Sequence, residues 1–313
     1  MTSSLTLVFV GTPRFAVPTL EALVQRDFDV RLVVTQPDRQ SGRGMELTAS
    51  PVKQSAESLG IAVAQPGTIK NNDSFRAQLT NLRPDAIVVV GYGRIIPGWM
   101  IELPRLGNLN VHASLLPKYR GAAPIQWAIA KGETITGVTT MRIDAGLDTG
   151  DILLQRELVI ETEDTAVTVA PKLAAIGAEL MVDTLNQLCA GTLHPRAQDH
   201  TIASSAPILT KEDGRLDFQR SATENWNRLR GFQPWPGAFT SFRSKTLQIL
   251  KARPVEYVLS PGLLHAEGHL PVVGCGLDSS LELHELQLEG KRKMSGPDFV
   301  NGYRIGDGEY LGK

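Results

Sequence analysis

Residues 5–35, LTLVFVGTPRFAVPTLEALVQRDFDVRLVVT, decide the fold class. Two aliphatic, β-branched runs, Leu5–Val10 and Val30–Thr35, flank FAVPTLEALVQR, whose apolar positions recur at helical spacing. Strand, helix and strand joined by short connections make a βαβ unit, which places two strands in parallel and a helix on one face of the sheet. The alternation continues outward. Strands are expected at Ala62–Ala64, Ala86–Val90 and Leu109–His112, and helices in PVKQSAESLG (51–60), DSFRAQLTNL (73–82) and APIQWAIAKG (123–132). GVTTMRID (137–144) and DILLQRELVI (151–160) read as an antiparallel addition, and a helix from about Asp164 to Cys189 closes the domain. Residues 1–190 are therefore expected to form an α/β domain with a mostly parallel sheet.

From Gly191 to Leu209 the chain is polar and lacks sustained periodicity, so 191–209 is expected to be a linker. Beyond it, FTSFRSKTLQILKARPV, GHLPVVGCG and SSLELHELQLEG are strand candidates separated by Gly and Pro, which predicts a small β-barrel or sandwich over 210–313.

At 313 residues, 42% hydrophobic and 21% charged, the chain can bury two cores. No apolar run approaches the roughly 20 residues that span a bilayer. The opening MTSSLTLVFVGTP has no basic n-region or small-residue cleavage site, so a cytoplasmic protein with no membrane partner is expected. Cys189 and Cys275 have no second Cys or His at ligand spacing, which argues against a disulfide framework and a zinc site. The formal charge of -1 argues against a uniformly basic protein but allows a local patch for a polyanion.

The chemistry is concentrated where the last parallel strand ends. Ligands of open α/β sheets collect at the carboxyl ends of the strands. Asn110 and His112, two residues apart, share one face of such a strand and bring an amide donor and a titratable base to the same crevice. A strand cap and a satisfied carbonyl would also account for the pair. Some thirty residues on, RIDAGLDTGDIL sets Asp144 and Asp148 in a Gly-rich turn. An amide, an imidazole and a carboxylate can together manage attack by an amine on a carbonyl: the amide holds the oxyanion, the imidazole moves a proton, and the carboxylate orients it. No Ser, Cys or Lys stands as an evident nucleophile, which favours direct transfer. A nicotinamide-dependent oxidoreductase is disfavoured because VGTPRFA carries only Gly11 of the three-glycine fingerprint. A noncatalytic RNA-binding module would leave the Asn, His and Asp unexplained.

NVHASLLPKYRGAAPIQWAI (110–129), DAGLDTGDIL (144–153), FVGTPRFAVPTLEAL (9–23), TQPDRQSGRGMELTASPVK (35–53) and FQPWPGA (232–238) resemble, in order and nearly end to end, the methionyl-tRNA formyltransferases among the 10-formyltetrahydrofolate-dependent enzymes. The resemblance implies a Rossmann-like formyltransferase domain followed by an OB-like, tRNA-binding barrel. It also implies a catalytic trio of Asn110, His112 and Asp148, and a folate site lined by Ser114, Leu115, Leu116 and Pro117. Ile95 and Ile96 are expected to wall a flat pterin, with Asp144 joining the cofactor site. The implied co-substrate is 10-formyltetrahydrofolate and the implied partner is initiator methionyl-tRNA, on a monomer that needs no metal. A small amine acceptor, glycinamide ribotide or a sugar nucleotide, is the alternative.

Two cationic features point to the tRNA. Arg43 lies between Gly42 and Gly44 in a loop after the second strand and is read as a clamp on the acceptor stem. From Arg215 to Arg253 there are eight Lys or Arg against two acids, interleaved with Trp226, Phe232 and Trp235, whereas 254–290 holds six acids and no Lys or Arg. Arg243, Lys245 and Lys251, joined by Lys291–Lys293, are expected to meet the RNA backbone.

Overall fold

The computed structural model describes residues 5–41, 46–267, 270–306 and 308–313. Its described residues divide into two compact units. The first comprises Met1–Pro124, Ile135–Val159 and Ala170–Pro207, and the second Ile125–Thr134, Ile160–Val169 and Ile208–Lys313. The segments 125–134 and 160–169, which the sequence division places in the first domain, thus join the second unit.

In the first unit, β1 (Thr6–Gly11), α1 (Val17–Gln25) and β2 (Asp29–Val34) form the expected βαβ element. A short hairpin follows, β3 (Arg39–Ser41) against β4 (Glu46–Thr48). Its three-residue ladder is too short to show a period in sequence, where the stretch reads as loop. The Gly42–Arg43–Gly44 clamp lies outside the described residues. Next come α2 (Pro51–Ser58), β5 (Val63–Ala64), α3 (Asp73–Leu82), β6 (Ala86–Val90), α4 (Gly98–Ile101) and β7 (Asn108–His112). After α5 (Pro124–Ala130), β8 (Ile135–Arg142) and β9 (Ile152–Val159) add to the sheet, and α6 (Ala166–Ala190) follows.

The sheet order is β5-β2-β1-β6-β7-β8-β9. Pairings from β5 to β7 are parallel and the β8 and β9 edge is antiparallel. Because the chain leaves β1 towards β2 and β5 and returns to β6 on its other side, the connections reverse direction at β1 and β6, where such folds open a ligand crevice. The middle strands are buried on both faces: every residue of β6 and five of six in β1. One face packs Val8, Val10, Ile87 and Val89 against Phe75 and Leu79 of α3 and Met100 of α4. On β7 and β8, a Cβ placed on Gly177 of α6 would stand 2.7 Å from Val111, so the glycine lets the helix lie close to the sheet.

Residues 191–209 are not a free tether. Arg196 and Ile152 exchange both backbone hydrogen bonds at 2.8 Å, Arg120 N donates to Ser204 O at 2.8 Å, and Ala206 N donates to Arg120 O at 2.7 Å. The segment pairs through its backbone with loops distant in sequence, so its composition gives no sign of it.

The second unit holds α7 (Ala222–Gly231), then β10 (Ala238–Phe242), β11 (Lys245–Val255), β12 (Leu264–Glu267), β13 (Leu270–Cys275), β14 (Ser279–Leu288), β15 (Met294–Ser295) and α8 (Gly296–Tyr303). It is the antiparallel β-domain expected of an OB-like module, with pairing order β10-β11-β14-β13-β12 and β15 added beside β14. Its core gathers Phe218, Phe242, Leu247, Ile249, Leu281, Leu283 and Phe299. Among the described residues no helix is long and apolar enough to cross a membrane.

Candidate active site

β7 delivers the two side chains that its alternation promises. Asn108 fixes the start of the strand: it is buried and donates to Met100 O at 2.8 Å and Ile101 O at 3.1 Å. Asn110 is half-buried, and among the described residues its carboxamide makes no hydrogen bond, so both its donors and its acceptor are available to a ligand. His112 is 5% exposed. Its Nε2 lies 2.9 Å from Tyr119 O. A carbonyl can only accept, so Nε2 carries a hydrogen, and in the neutral form of the ring Nδ1 is the unprotonated nitrogen. That Nδ1 lies 3.7 Å from Asp148 Oδ2, too far for a direct hydrogen bond. Two acceptors therefore face each other across a gap that one added proton would turn into an ion pair.

The loop after β7 is held by its neighbours' side chains. Ser114 donates to Lys118 O at 2.6 Å. Thr139 of β8 donates to Ser114 O at 2.7 Å and accepts from Leu116 N at 3.1 Å, while Gln155 of β9 donates to Leu116 O at 2.9 Å. Ser204 Oγ accepts from Tyr119 N at 2.9 Å. Tyr119 has φ +61° and Gly121 φ +120°, and a Cβ on Gly121 would stand 2.7 Å from Ala206 O, so the turn needs glycine there.

Asp148 comes from the turn between β8 and β9. Its φ is +52°, a left-handed conformation that Asp tolerates better than most residues. Gly121 N donates to Asp148 Oδ2 at 2.9 Å, which joins this turn to the loop after β7. The buried Gln198 completes the tie, donating to Asp148 O at 2.9 Å and Gly150 O at 2.7 Å and accepting from Arg120 at 2.7 and 3.1 Å. Sequence reasoning passed over Gln198 and Ser204, which lie in the segment read as linker.

The structure thus brings Asn110, His112 and Asp148 to the carboxyl end of β7, and it divides the expected cofactor set. Ser114 has no exposed surface, and Leu116, 3% exposed, packs with Met141 and Ile152. Both side chains are engaged in holding the loop. Leu115, which would collide with a Cβ on Gly137, and the half-buried Pro117 keep some surface. Ile95 is 92% exposed, whereas Ile96 belongs to the core beside Tyr92 and Met100. Asp144 accepts from Gly146 N at 3.0 Å and from Thr149 Oγ1 at 2.7 Å, closing its own exposed turn instead of reaching the crevice. A polar cluster with no role in the sequence reading cross-links the same edge of the sheet. Gln36 donates to Tyr92 O at 2.7 Å, and Gln65 reaches Asp38 Oδ1 at 2.7 Å. Lys53 meets Asp38 Oδ2 at 2.6 Å, and its hydrogen bond holds that carboxyl below the usual range while the carboxylate raises the Lys53 ammonium.

The basic stretch of the second unit is largely neutralised by the fold. Arg215 pairs with Glu212 at 2.9 Å, Arg220 with Asp217 at 3.6 Å and Arg253 with Glu282 at 2.7 Å. Arg243, expected to meet the RNA backbone, pairs with Glu309 and donates to Tyr303 O at 3.1 Å. Arg230 is buried over the Trp226 ring at 4.0 Å, and burial lowers its affinity for a proton. Phe232 is fully buried; Trp235 alone of the three aromatics is exposed. β11 and β14 are registered with Lys251 opposite Glu285 and Arg253 opposite Glu282, so charges segregated along the sequence become neighbours in the sheet. Among the described residues, Lys245, Lys251, Lys291 and Arg292 are exposed and make no ion pair.

Residues 5–185 match the family described as formyl transferase, and residues 208–304 match the formyl transferase C-terminal domain. The chain is 62% identical over 307 residues to a methionyl-tRNA formyltransferase of Koribacter versatilis, covering 98% of each chain. It is 58% identical over 308 residues to the methionyl-tRNA formyltransferase of Acidobacterium capsulatum, covering 98% of this chain and 99% of that one. Among solved structures, it resembles an N-formyltransferase of Helicobacter canadensis in complex with folinic acid and dTDP-3-aminofucose, with TM-score 0.68 and 20% identity over 88% of this chain and 98% of the other. At that identity the likeness speaks for the fold alone.

Proposed function

The chain belongs to the formyl transferase family, and from that premise we propose that it transfers a formyl group from 10-formyltetrahydrofolate to the α-amine of initiator methionyl-tRNA, yielding N-formylmethionyl-tRNA for translation initiation. The observation that carries the chemistry is the pair of facing acceptors, His112 Nδ1 and Asp148 Oδ2 at 3.7 Å, beside the unengaged carboxamide of Asn110. The neutral amine attacks the formyl carbon on N10, and a tetrahedral centre forms with an oxyanion and an ammonium. Asn110 donates to the oxyanion. His112 Nδ1 takes the ammonium proton, and the resulting imidazolium is held between Asp148 and the Tyr119 carbonyl. As the oxyanion collapses, the carbon–N10 bond breaks and the proton passes to N10, which leaves as tetrahydrofolate. No covalent enzyme intermediate is needed.

The near full-length likeness to methionyl-tRNA formyltransferases supports the acceptor, and the exposed Ile95 with the half-buried Leu115 and Pro117 supplies apolar surface for the folate. Lys245 and Lys251, with Lys291 and Arg292, are exposed cations free to meet phosphates; the Arg43 clamp stands as a proposal from sequence. The test is a formyl-transfer assay with 10-formyltetrahydrofolate and, in separate reactions, methionyl-tRNA, glycinamide ribotide and an amino-sugar nucleotide. Formylated methionyl-tRNA as the dominant product is the expected result. Faster transfer to either small amine would overturn the assigned acceptor.

A further inference from the structure

Resting on this reading of the site, we propose that Gln198 is a positioning residue for formyl transfer: it fixes the distance between Asp148 and His112 by tying their two loops into one body. The carboxylate and the imidazole belong to separate segments, the turn between β8 and β9 and the end of β7. Nothing covalent sets their separation, and at 3.7 Å they make no direct hydrogen bond that could hold it.

What spans the gap is a small set of hydrogen bonds. On one side Gly121 N reaches Asp148 Oδ2 at 2.9 Å. On the other, Gln198 uses both of its N–H donors on main-chain oxygens flanking that turn, Asp148 O and Gly150 O. Its oxygen accepts from the guanidinium of Arg120, which sits between Tyr119, the acceptor for His112, and Gly121, the donor to Asp148. The amide is therefore used at both ends, and its orientation follows from its partners, because carbonyls only accept and a guanidinium only donates. At 6% exposure it has little water to fall back on, so removing it leaves the Asp148 and Gly150 carbonyls without their donor, while the Arg120 guanidinium keeps His200 Nδ1 at 3.0 Å.

The surrounding chain keeps Gln198 in place. Arg196 pairs with Ile152 on one side of it, and Ser204 and Ala206 pair with Tyr119 and Arg120 on the other. Residues 196–206 thus run from the Asp148 turn to the His112 loop as a strap, with Gln198 and Ala206 as its buried members. Asp148 also has to hold φ +52°, and the two bonds from Gln198 hold its own carbonyl and that of Gly150, two residues on. Without them the turn can relax, and the carboxylate moves relative to Nδ1 while the surfaces that bind folate and tRNA stay as they are.

The experiment compares Gln198→Met, which keeps the volume and removes every hydrogen bond, with Gln198→Glu, which keeps the volume and the pairing with Arg120 but has neither N–H donor. Steady-state formyl transfer to methionyl-tRNA is measured with binding of tetrahydrofolate as the check on an intact fold. Because a displacement near 1 Å in a reacting constellation costs on the order of 10²-fold, kcat is expected to fall by about that factor in both variants. KM for both substrates and tetrahydrofolate affinity should stay within about threefold, since binding surfaces are untouched. A kcat within about twofold of wild type in either variant, or KM values that rise as kcat falls, would overturn the assignment. If Gln198→Met does not fold, Gln198→Glu decides alone. Wild-type enzyme and His112→Ala run alongside: an inactive wild type sinks the proposed function, and an active His112→Ala sinks the proposed site, each taking the role of Gln198 with it. If both controls behave as expected and the Gln198 variants match wild type, only the positioning role falls.

Discussion

A carboxylate held at φ +52° beside a histidine that it does not touch gives the cleanest probe of the chemistry. Asn adopts left-handed φ as readily as Asp, so Asp148→Asn keeps the turn and removes only the charge. Its turnover should fall by about 10²- to 10⁴-fold, the range of a missing acid–base function, with folate binding nearly unchanged. Near-normal kcat would mean that the charge does not act. Asn110→Ala removes a donor to the oxyanion and should cost about 3–4 kcal/mol in kcat/KM. Retention of more than about a tenth of wild-type turnover would remove that role. The thiols give a control from outside the site. Burial pushes the Cys275 thiol up to about 12, so it stays protonated and unreactive through neutral pH and well above it, while Cys189 is exposed. Alkylation of native protein at pH 8 should label one cysteine, and labelling of both would show that the core of the second unit opens. Asn110 and His112 are legible in sequence because strand alternation alone puts them on one face. The Tyr119 carbonyl that sets the tautomer, and the Gln198 amide, are not: each acts through a backbone group or a partner tens of residues away.

Elements are legible in proportion to their periodicity. β1 and β6 are nearly continuous apolar runs, β7 alternates polar and apolar residues, and α3 occupies the stretch its spacing predicts, Asp73–Leu82. α7 and α8 stand in stretches to which the sequence reading assigns no element, although each begins with a cap. Ser221 and Glu224 form a capping box, with Ser221 Oγ accepting from Glu224 N at 3.2 Å, and Ser295 Oγ accepts from Asp298 N at 3.2 Å. Ser221→Ala should therefore destabilise the second unit by about 1 kcal/mol in denaturant unfolding. A change indistinguishable from zero would mean that α7 is held by packing alone. That packing is close at its end: a Cβ on Gly231 would stand 2.6 Å from Gln126 O and 2.7 Å from Ala130 N of α5. Backbone cannot step aside as a side chain can, so Gly231→Ala should cost about 1–3 kcal/mol. Unchanged stability would show that α5 is free to shift. Trp127 and Phe232, edge to face at 5.3 Å, add to the same packing.

For the whole molecule, linear order is a poor guide to assembly. Residues 125–134 and 160–169 belong with 208–313, and 191–207 belongs with the first unit, so cutting the chain at residue 190 removes Gln198 and Ser204 from the site as well as the second unit. The charge pattern misleads in the same way. A sequence excess of positive charge over 215–253 predicts a basic face, but antiparallel pairing of β11 with β14 sets Lys251 and Arg253 opposite Glu285 and Glu282, and Arg215, Arg220 and Arg243 pair with acids elsewhere. The salt dependence of tRNA binding should report this difference. Only cations that meet phosphates release condensed counterions, and each cation–phosphate pairing removed flattens the log–log slope by about 0.7–0.9. Lys245→Ala, Lys251→Ala and Lys291→Ala should each flatten the slope by about that amount and weaken binding most at low salt. Arg243 is already neutralised by Glu309, so the double variant Arg243→Ala/Glu309→Ala, which leaves net charge unchanged, should keep the wild-type slope. Fluorescence titration of initiator methionyl-tRNA at several salt concentrations separates the cases. An unchanged slope in the three lysine variants together, or a flattened one in the paired double variant, would mean that the tRNA does not lie across the free cations of the second unit.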